Sequence, residues 1–211
     1  MPQILSIEKI KRKKGWFTLS LDNDTSFVVN DELVFKYAMR PERELARAEI
    51  EQIKAEGEYQ FLKAKALDIL SRRRVTEKEL ERKLKFIKIY GKHTAKLIAN
   101  LRELGLIDDL GFATSYIYTT LIGGPKSKMF IKHKLRQKGV LPATAQKAIE
   151  EELGDYDERD AALQLAKKKY KTVKSLPTLK AKQRVAEFLR GRGFGWDDIN
   201  NALSKIFHRE D

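Results

Sequence analysis

The chain contains no cysteine, which excludes a disulfide framework, a thiolate zinc site and a cysteine nucleophile. Its stability must come from packing. Histidine is scarce: His93, His133 and His208 stand far apart, without the i, i+4 partner or acidic neighbour that a metal face or a general base requires, so structural or surface roles are expected for them. Nowhere do eighteen apolar residues follow one another, and Met1–Glu8 has no cationic stretch leading into an apolar run. A soluble, cytoplasmic protein that makes no membrane contact is expected. Gly123-Gly124-Pro125-Lys126-Ser127-Lys128 lacks both the glycine spacing and the preceding buried strand of a phosphate loop, so it reads as an interhelix loop in which Ser127 caps the next helix. No carboxylate pair falls in an apolar cleft. No cofactor or metal is expected, and nothing demands an enzyme.

What is present is a chain of 211 residues, 42% of them hydrophobic, which is enough to bury a core. A net charge of +13 points to phosphate-bearing partners, anionic surfaces or acidic protein faces.

The first thirty residues alternate like strands. Ile4 to Ile10, then Trp16 to Leu21 after the cationic turn Lys11-Arg12-Lys13-Lys14-Gly15, then Ser26 to Val29 after Asp22-Asn23-Asp24, predict a small antiparallel ribbon. Asp31 to Ala38 predicts a short covering helix. A second helix is expected to start at Pro41, with Leu45, Ile50 and Ile53 along one stripe, and to end near Gly57.

From Tyr59 onward a helical pattern recurs at about fifty residues. Ala64, Ala113 and Ala162 align in the first helices, 49 residues apart each time, and Leu84, Leu135 and Leu189 in the second. Third helices follow at Leu97–Leu104, Ala145–Ile149 and Ile199–Ile206. Thr76-Glu77-Lys78-Glu79 has capping-box spacing, and Gly105, Gly139 and Gly191 stand where helix ends favour a left-handed residue. The expected architecture is mainly α: three tandem three-helix repeats over 59–108, 109–154 and 155–211, in an elongated curved array, behind an N-terminal β-hairpin and short-helix extension over 1–58.

The positive charge recurs at one place in each repeat. The connection after the first helix carries Arg72-Arg73-Arg74, then Lys126 and Lys128, then Lys167-Lys168-Lys169. The second helix adds Arg82, Lys83, Lys85 and Lys88, then Lys132, Lys134, Arg136 and Lys138, then Lys180, Lys182, Arg184, Arg190 and Arg192. A lysine-rich face is ordinarily solvated surface, but recurrence in three repeats favours an interaction stripe. Phe86, Tyr90, Phe112, Tyr116, Phe130, Phe188 and Trp196 read as core, and Tyr118 and Tyr170 as weaker core candidates able to stack on a base or a partner.

Gly105-Leu106-Ile107-Asp108-Asp109 with Phe112-Ala113 and Tyr116 resembles the junction between the first two repeats of RecX proteins. Ala66, Leu70, Arg73, Thr76, Glu79, Leu80 and Lys83-Leu84 are similar to that family's first unit, and Ile131, Leu135 and Lys138-Gly139-Val140 to its second. Ala161-Ala162, Leu165-Ala166, Lys168-Lys169, Phe188-Leu189, Gly193-Phe194 and Ile199 are similar to its third. The resemblance covers residues 59–207. It implies a regulator rather than a catalyst, lying in the groove of the RecA nucleoprotein filament, inhibiting ATP hydrolysis, strand exchange and filament growth, and so modulating homologous recombination, DNA repair and the SOS response. The expected partners are RecA and DNA, single- or double-stranded, and the expected state is a monomer. On that reading the contacts are Arg72, Arg73, Arg74, Arg82, Lys85, Lys128, Lys132, Arg136, Lys168, Lys169 and Arg190, while Asp108 and Asp109 cap the next helix rather than touch a neighbour. The alternatives are a basic helical module that binds DNA without a protein partner, and an enzyme whose site the sequence does not reveal.

Overall fold

The computed structural model describes residues 1–87 and 89–207, so Lys88 and His208 lie outside the described residues, as does the side chain of Tyr90. Three strands, β1 (Ile4–Lys9), β2 (Trp16–Leu21) and β3 (Ser26–Asn30), form an antiparallel sheet in the order β1-β2-β3. Pairing of Leu19 with Ile7 on one side and Phe27 on the other sets one face of the sheet. That face buries Leu19, Leu21, Phe27 and Val29 with Leu33, Met39, Leu45, Ile50 and Ile53. Leu33 comes from α1 (Asp31–Lys36), which starts where the Asn30 side chain accepts the Leu33 amide.

The next helix departs from its sequence expectation. Instead of running from Pro41 to Gly57, α2 extends from Arg47 to Arg72. Its start is delayed because the preceding segment returns to the sheet edge: the Ile4 amide donates to the Arg43 carbonyl, Glu42 to Ile4 and Leu45 to Pro2. Gly57 does not end the helix. A Cβ on it would lie 2.1 Å from the Val28 carbonyl oxygen, so the glycine lets the helix lie against β3.

Beyond this point the helices come in threes, each with a separate apolar core. The second half of α2, α3 (Glu77–Leu84) and α4 (Tyr90–Glu103) enclose Leu62, Ala66, Val75, Leu80, Leu84, Leu97, Ile98 and Leu101. The triplet α5 (Asp109–Ile122), α6 (Lys128–Gln137) and α7 (Pro142–Leu153) encloses Ala113, Ile117, Ile131, Leu135, Ala145, Ala148 and Ile149. The last triplet, α8 (Glu158–Lys171), α9 (Thr178–Arg190) and α10 (Trp196–Phe207), encloses Ala162, Ala166, Val185, Leu189, Ile199 and Ala202. The fold is therefore mainly helical behind a small three-stranded sheet.

Several sequence assignments shift. The buried pair in the first triplet is Leu62 and Ala66, 51 residues before Ala113 and Ile117, while Ala64 is only half-buried. Leu84 and Leu135 are also 51 apart, so the first two triplets share one spacing and only the third lengthens its connection. Gly105 and Gly139 are left-handed as expected, but Gly191 is helical and Gly193, at φ 84°, takes the left-handed turn. Phe86 is 89% exposed and Trp196 66% exposed, contrary to the expectation that both are core. Phe86 falls just past the end of α3 and Trp196 opens α10, where helical periodicity no longer dictates which way a side chain faces. Tyr170 belongs to the third core, its ring edge-on to Phe207 at 4.9 Å, whereas Tyr118 is exposed.

The described chain divides into two compact units. One holds Met1–Val75 with Glu79–Ile107; the other holds Thr76–Lys78 with the residues from Asp108 onward.

Candidate functional site

In the first unit, Arg72 ends α2 and pairs with Asp68 one turn earlier at 3.0 Å, an exposed i, i+4 contact worth only about 0.3–0.5 kcal/mol. Arg73 is in extended backbone and gives its guanidinium to the Glu79 carboxylate on α3. That hydrogen bond holds Glu79 below the usual carboxylate range, helped by the positive fields of Arg73, Lys83 and Arg82. Arg74, Arg82 and Lys85 are exposed and form no ion pair among the described residues. The predicted cations Arg73 and Arg82 thus gather about one half-buried acid, and Arg73 is partly neutralised there.

In the second unit the predicted residues serve differing ends. At the start of α6 the Lys128 amide donates to the Glu158 carboxylate at 2.6 Å and its ammonium reaches the Gly154 carbonyl at 3.5 Å, which makes it part of the packing between α6 and α8. Lys132 donates to Gln146 on α7 at 3.0 Å. Lys169 lies over the Phe188 ring at 5.6 Å. Arg136, Lys168 and Arg190 are exposed and without an ion pair among the described residues.

Sequence reasoning left Lys126 and Arg192 out of the contact set, yet the fold brings them together. The Ser127 amide donates to the Arg192 carbonyl and the Ser127 hydroxyl to the Gly193 carbonyl at 2.6 Å, joining the loop before α6 to the turn after α9. Arg192 stacks on Phe188 at 3.7 Å, and Lys126 lies over Phe130 at 5.2 Å. Burial, then the nearby Arg192 charge, lowers the Lys126 pKa. Only the aromatic neighbours Phe130 and Phe188 hinted at this in the sequence; the pairing itself spans more than sixty residues.

Asp108 and Ser127 cap their own helices, through the Gly111 and Phe130 amides, as expected. Asp109, expected to cap rather than touch a neighbour, stands instead in the first turn of α5, and its carboxylate accepts the distant Glu77 amide at 2.9 Å. His93 meets the buried Glu58 carboxylate at 3.3 Å, and His133 bonds Gln137 at 2.9 Å. Among the described residues no group of three acids or histidines is placed to hold a metal, and no helix is long and apolar enough to cross a membrane. The chemistry on offer is ionic: guanidinium and ammonium groups set to meet phosphate or carboxylate oxygens.

Comparison with known proteins places this arrangement. Residues 156–203 match a family model described as RecX, third three-helix domain. The chain is 29% identical over 211 residues to a regulatory protein RecX of Clostridium acetobutylicum, covering 97% of this chain and 96% of that one. It is 27% identical over 203 residues to a regulatory protein RecX of Streptococcus pneumoniae, covering 96% of this chain and 77% of the relative. A crystal structure of a regulatory protein RecX superposes with a TM-score of 0.65 at 25% identity, covering 99% of this chain and all of the other. A second, of RecX from Lactobacillus salivarius, gives 0.62 at 26% identity over 71% of this chain and 96% of the other.

Proposed function

Because the chain belongs to the RecX family of regulatory proteins, we propose that it regulates the RecA recombinase by binding in the groove of the RecA–DNA filament. Bound there, it inhibits ATP hydrolysis, strand exchange and filament growth by bridging neighbouring protomers. The supporting observation is a recurrence: each triplet places an exposed cation directly after the buried leucine of its second helix, as Leu84-Lys85, Leu135-Arg136 and Leu189-Arg190. A cation near a helix C-terminus also favours the helix dipole, by about 0.3–1 kcal/mol. That smaller role predicts a loss of stability on charge removal; the filament role predicts a loss of inhibition.

The test follows ATP hydrolysis by RecA filaments on single-stranded DNA as this protein is added. Inhibition is expected, and unchanged hydrolysis at saturating protein overturns the reading. The contact set is tested by reversing Arg74, Lys85, Arg136 and Arg190 to glutamate, which is expected to weaken inhibition at least about tenfold, or about 1.4 kcal/mol. Arg73 is unsuitable for reversal because a glutamate there would face Glu79. Wild-type inhibition by the variant removes these residues from the interface.

A further inference from the structure

The cationic turn Lys11–Lys14 has no part in the reading above, yet it folds back onto α2. The Ile10 amide donates to the Trp16 carbonyl and the Trp16 amide to the Lys13 carbonyl, closing the turn, and Arg12 takes a left-handed backbone at φ 62°. Lys13 is thereby turned toward the helix. Its Nζ lies 3.5 Å from the centre of the Phe61 ring, whose edge meets Trp16 at 5.0 Å. One turn along α2 from Phe61 stands Lys65, whose charge acts on Lys13.

A cavity of about 420 Å³ opens at this place, and its lining is lopsided in charge. Arg12, Lys13, Lys65 and Arg72 face a single carboxylate, Asp68, which Arg72 already holds at 3.0 Å. Two ammonium groups at close range raise each other's energy unless an anion lies between them. Burial first, and Lys65 second, bring the Lys13 pKa down to about 8. A carboxylate presents two coplanar oxygens, whereas a phosphate group presents its oxygens tetrahedrally and so meets several cations at once.

The geometry points to a phosphate-binding pocket in which Lys13 and Lys65 bridge the oxygens of one phosphate group and Arg12 closes on it from the turn. The phosphate is that of a small polyphosphate or of a nucleic-acid strand; both present non-bridging phosphate oxygens to the same amines. This site stands without the filament reading, since Arg12, Lys13 and Lys65, which hold the phosphate, are not among the expected filament contacts.

The experiment uses the full chain with ¹³C-labelled lysine side chains, Lys13 being assigned through Lys13→Met, and follows the Lys13 signal with pH by NMR. Pyrophosphate and an oligothymidylate are the probes, with sodium chloride of equal ionic strength as the control. At about 10 mM pyrophosphate the Lys13 midpoint is expected to rise by about one unit, a tenfold preference of the ligand for the charged amine. A response to both probes shows that free phosphate suffices; a response to the oligothymidylate alone assigns the site to a strand. Lys65→Met is expected to cut the response severalfold while leaving the melting temperature within a few degrees of wild type. No rise with either probe, a rise equal to that in chloride, or a full response in Lys65→Met overturns the proposal. A rise accompanied by unaltered RecA hydrolysis keeps the pocket and sinks the filament reading instead.

Discussion

Gly193 illustrates how much can depend on one hydrogen. It sits at φ 84°, and a Cβ there would lie 2.6 Å from the Phe130 Cβ and 2.7 Å from the Ser127 hydroxyl. Gly193→Ala therefore meets both a left-handed penalty of about 1–2 kcal/mol and an overpacking cost of about 1–3 kcal/mol. Denaturant unfolding is expected to show a loss of roughly 2–5 kcal/mol, and a loss below about 1 kcal/mol would contradict the close approach. Glu79 gives a prediction with a sign. Its folded pKa is lowered chiefly by the Arg73 hydrogen bond, so its contribution is present above the ordinary carboxylate range and is lost as pH falls through the folded value. Glu79→Gln is accordingly expected to lower the melting temperature at pH 7 and to change it little near pH 3. Equal losses at both values would mean that the contact does not depend on charge. The sequence marks Glu79 as a capping-box residue; its pairing with Arg73 requires the chain to turn between α2 and α3, which no periodicity encodes.

The starts of α3 and α6, at Thr76–Lys78 and Ser127–Lys128, show a joint that recurs within the second unit. The Thr76 hydroxyl donates to the Lys138 carbonyl at 2.6 Å, as Ser127 does to Gly193. The Glu77 amide is received by Asp109 at the head of α5, as the Lys128 amide is by Glu158 at the head of α8. Gly139 lies against Lys78, as Gly193 lies against Phe130. The start of a second helix is thus tied twice to residues further along the chain, and one of its orphan amides is satisfied there. Thr76 and Ser127 were readable as caps from local spacing, but their hydroxyl acceptors lie 62 and 66 residues away. In the first unit α2 depends on Gly57 in a comparable way. Gly57→Ala would push a methyl group into the Val28 carbonyl at 2.1 Å, so a loss of at least about 2 kcal/mol is expected in spite of alanine's better helix propensity. A stabilised variant would show that α2 does not lie against β3 as described.

At the level of the full chain, the charge of +13 has a measurable consequence. If the exposed cations meet phosphate, the salt concentration needed to halve the inhibition of RecA should fall when Lys85, Arg136 and Arg190 are neutralised, and the logarithmic salt slope should flatten by about one for each phosphate no longer engaged. A slope unchanged by all three substitutions would assign them to protein or solvent. The amino-acid order alone was enough for the ribbon, the helical triplets and most core positions, because strand and helix periods are local and burial follows them. It was enough, too, for the family likeness, which rests on motifs in a set order. Left undecided were the true extent of α2, the glycine that takes the left-handed turn after α9, and the company kept by each cation. Those depend on which distant backbone or side chain comes within about 3 Å, as with Arg192 at Ser127 and Glu158 at Lys128. Such pairs join residues tens of positions apart, and only packing of the finished chain selects them.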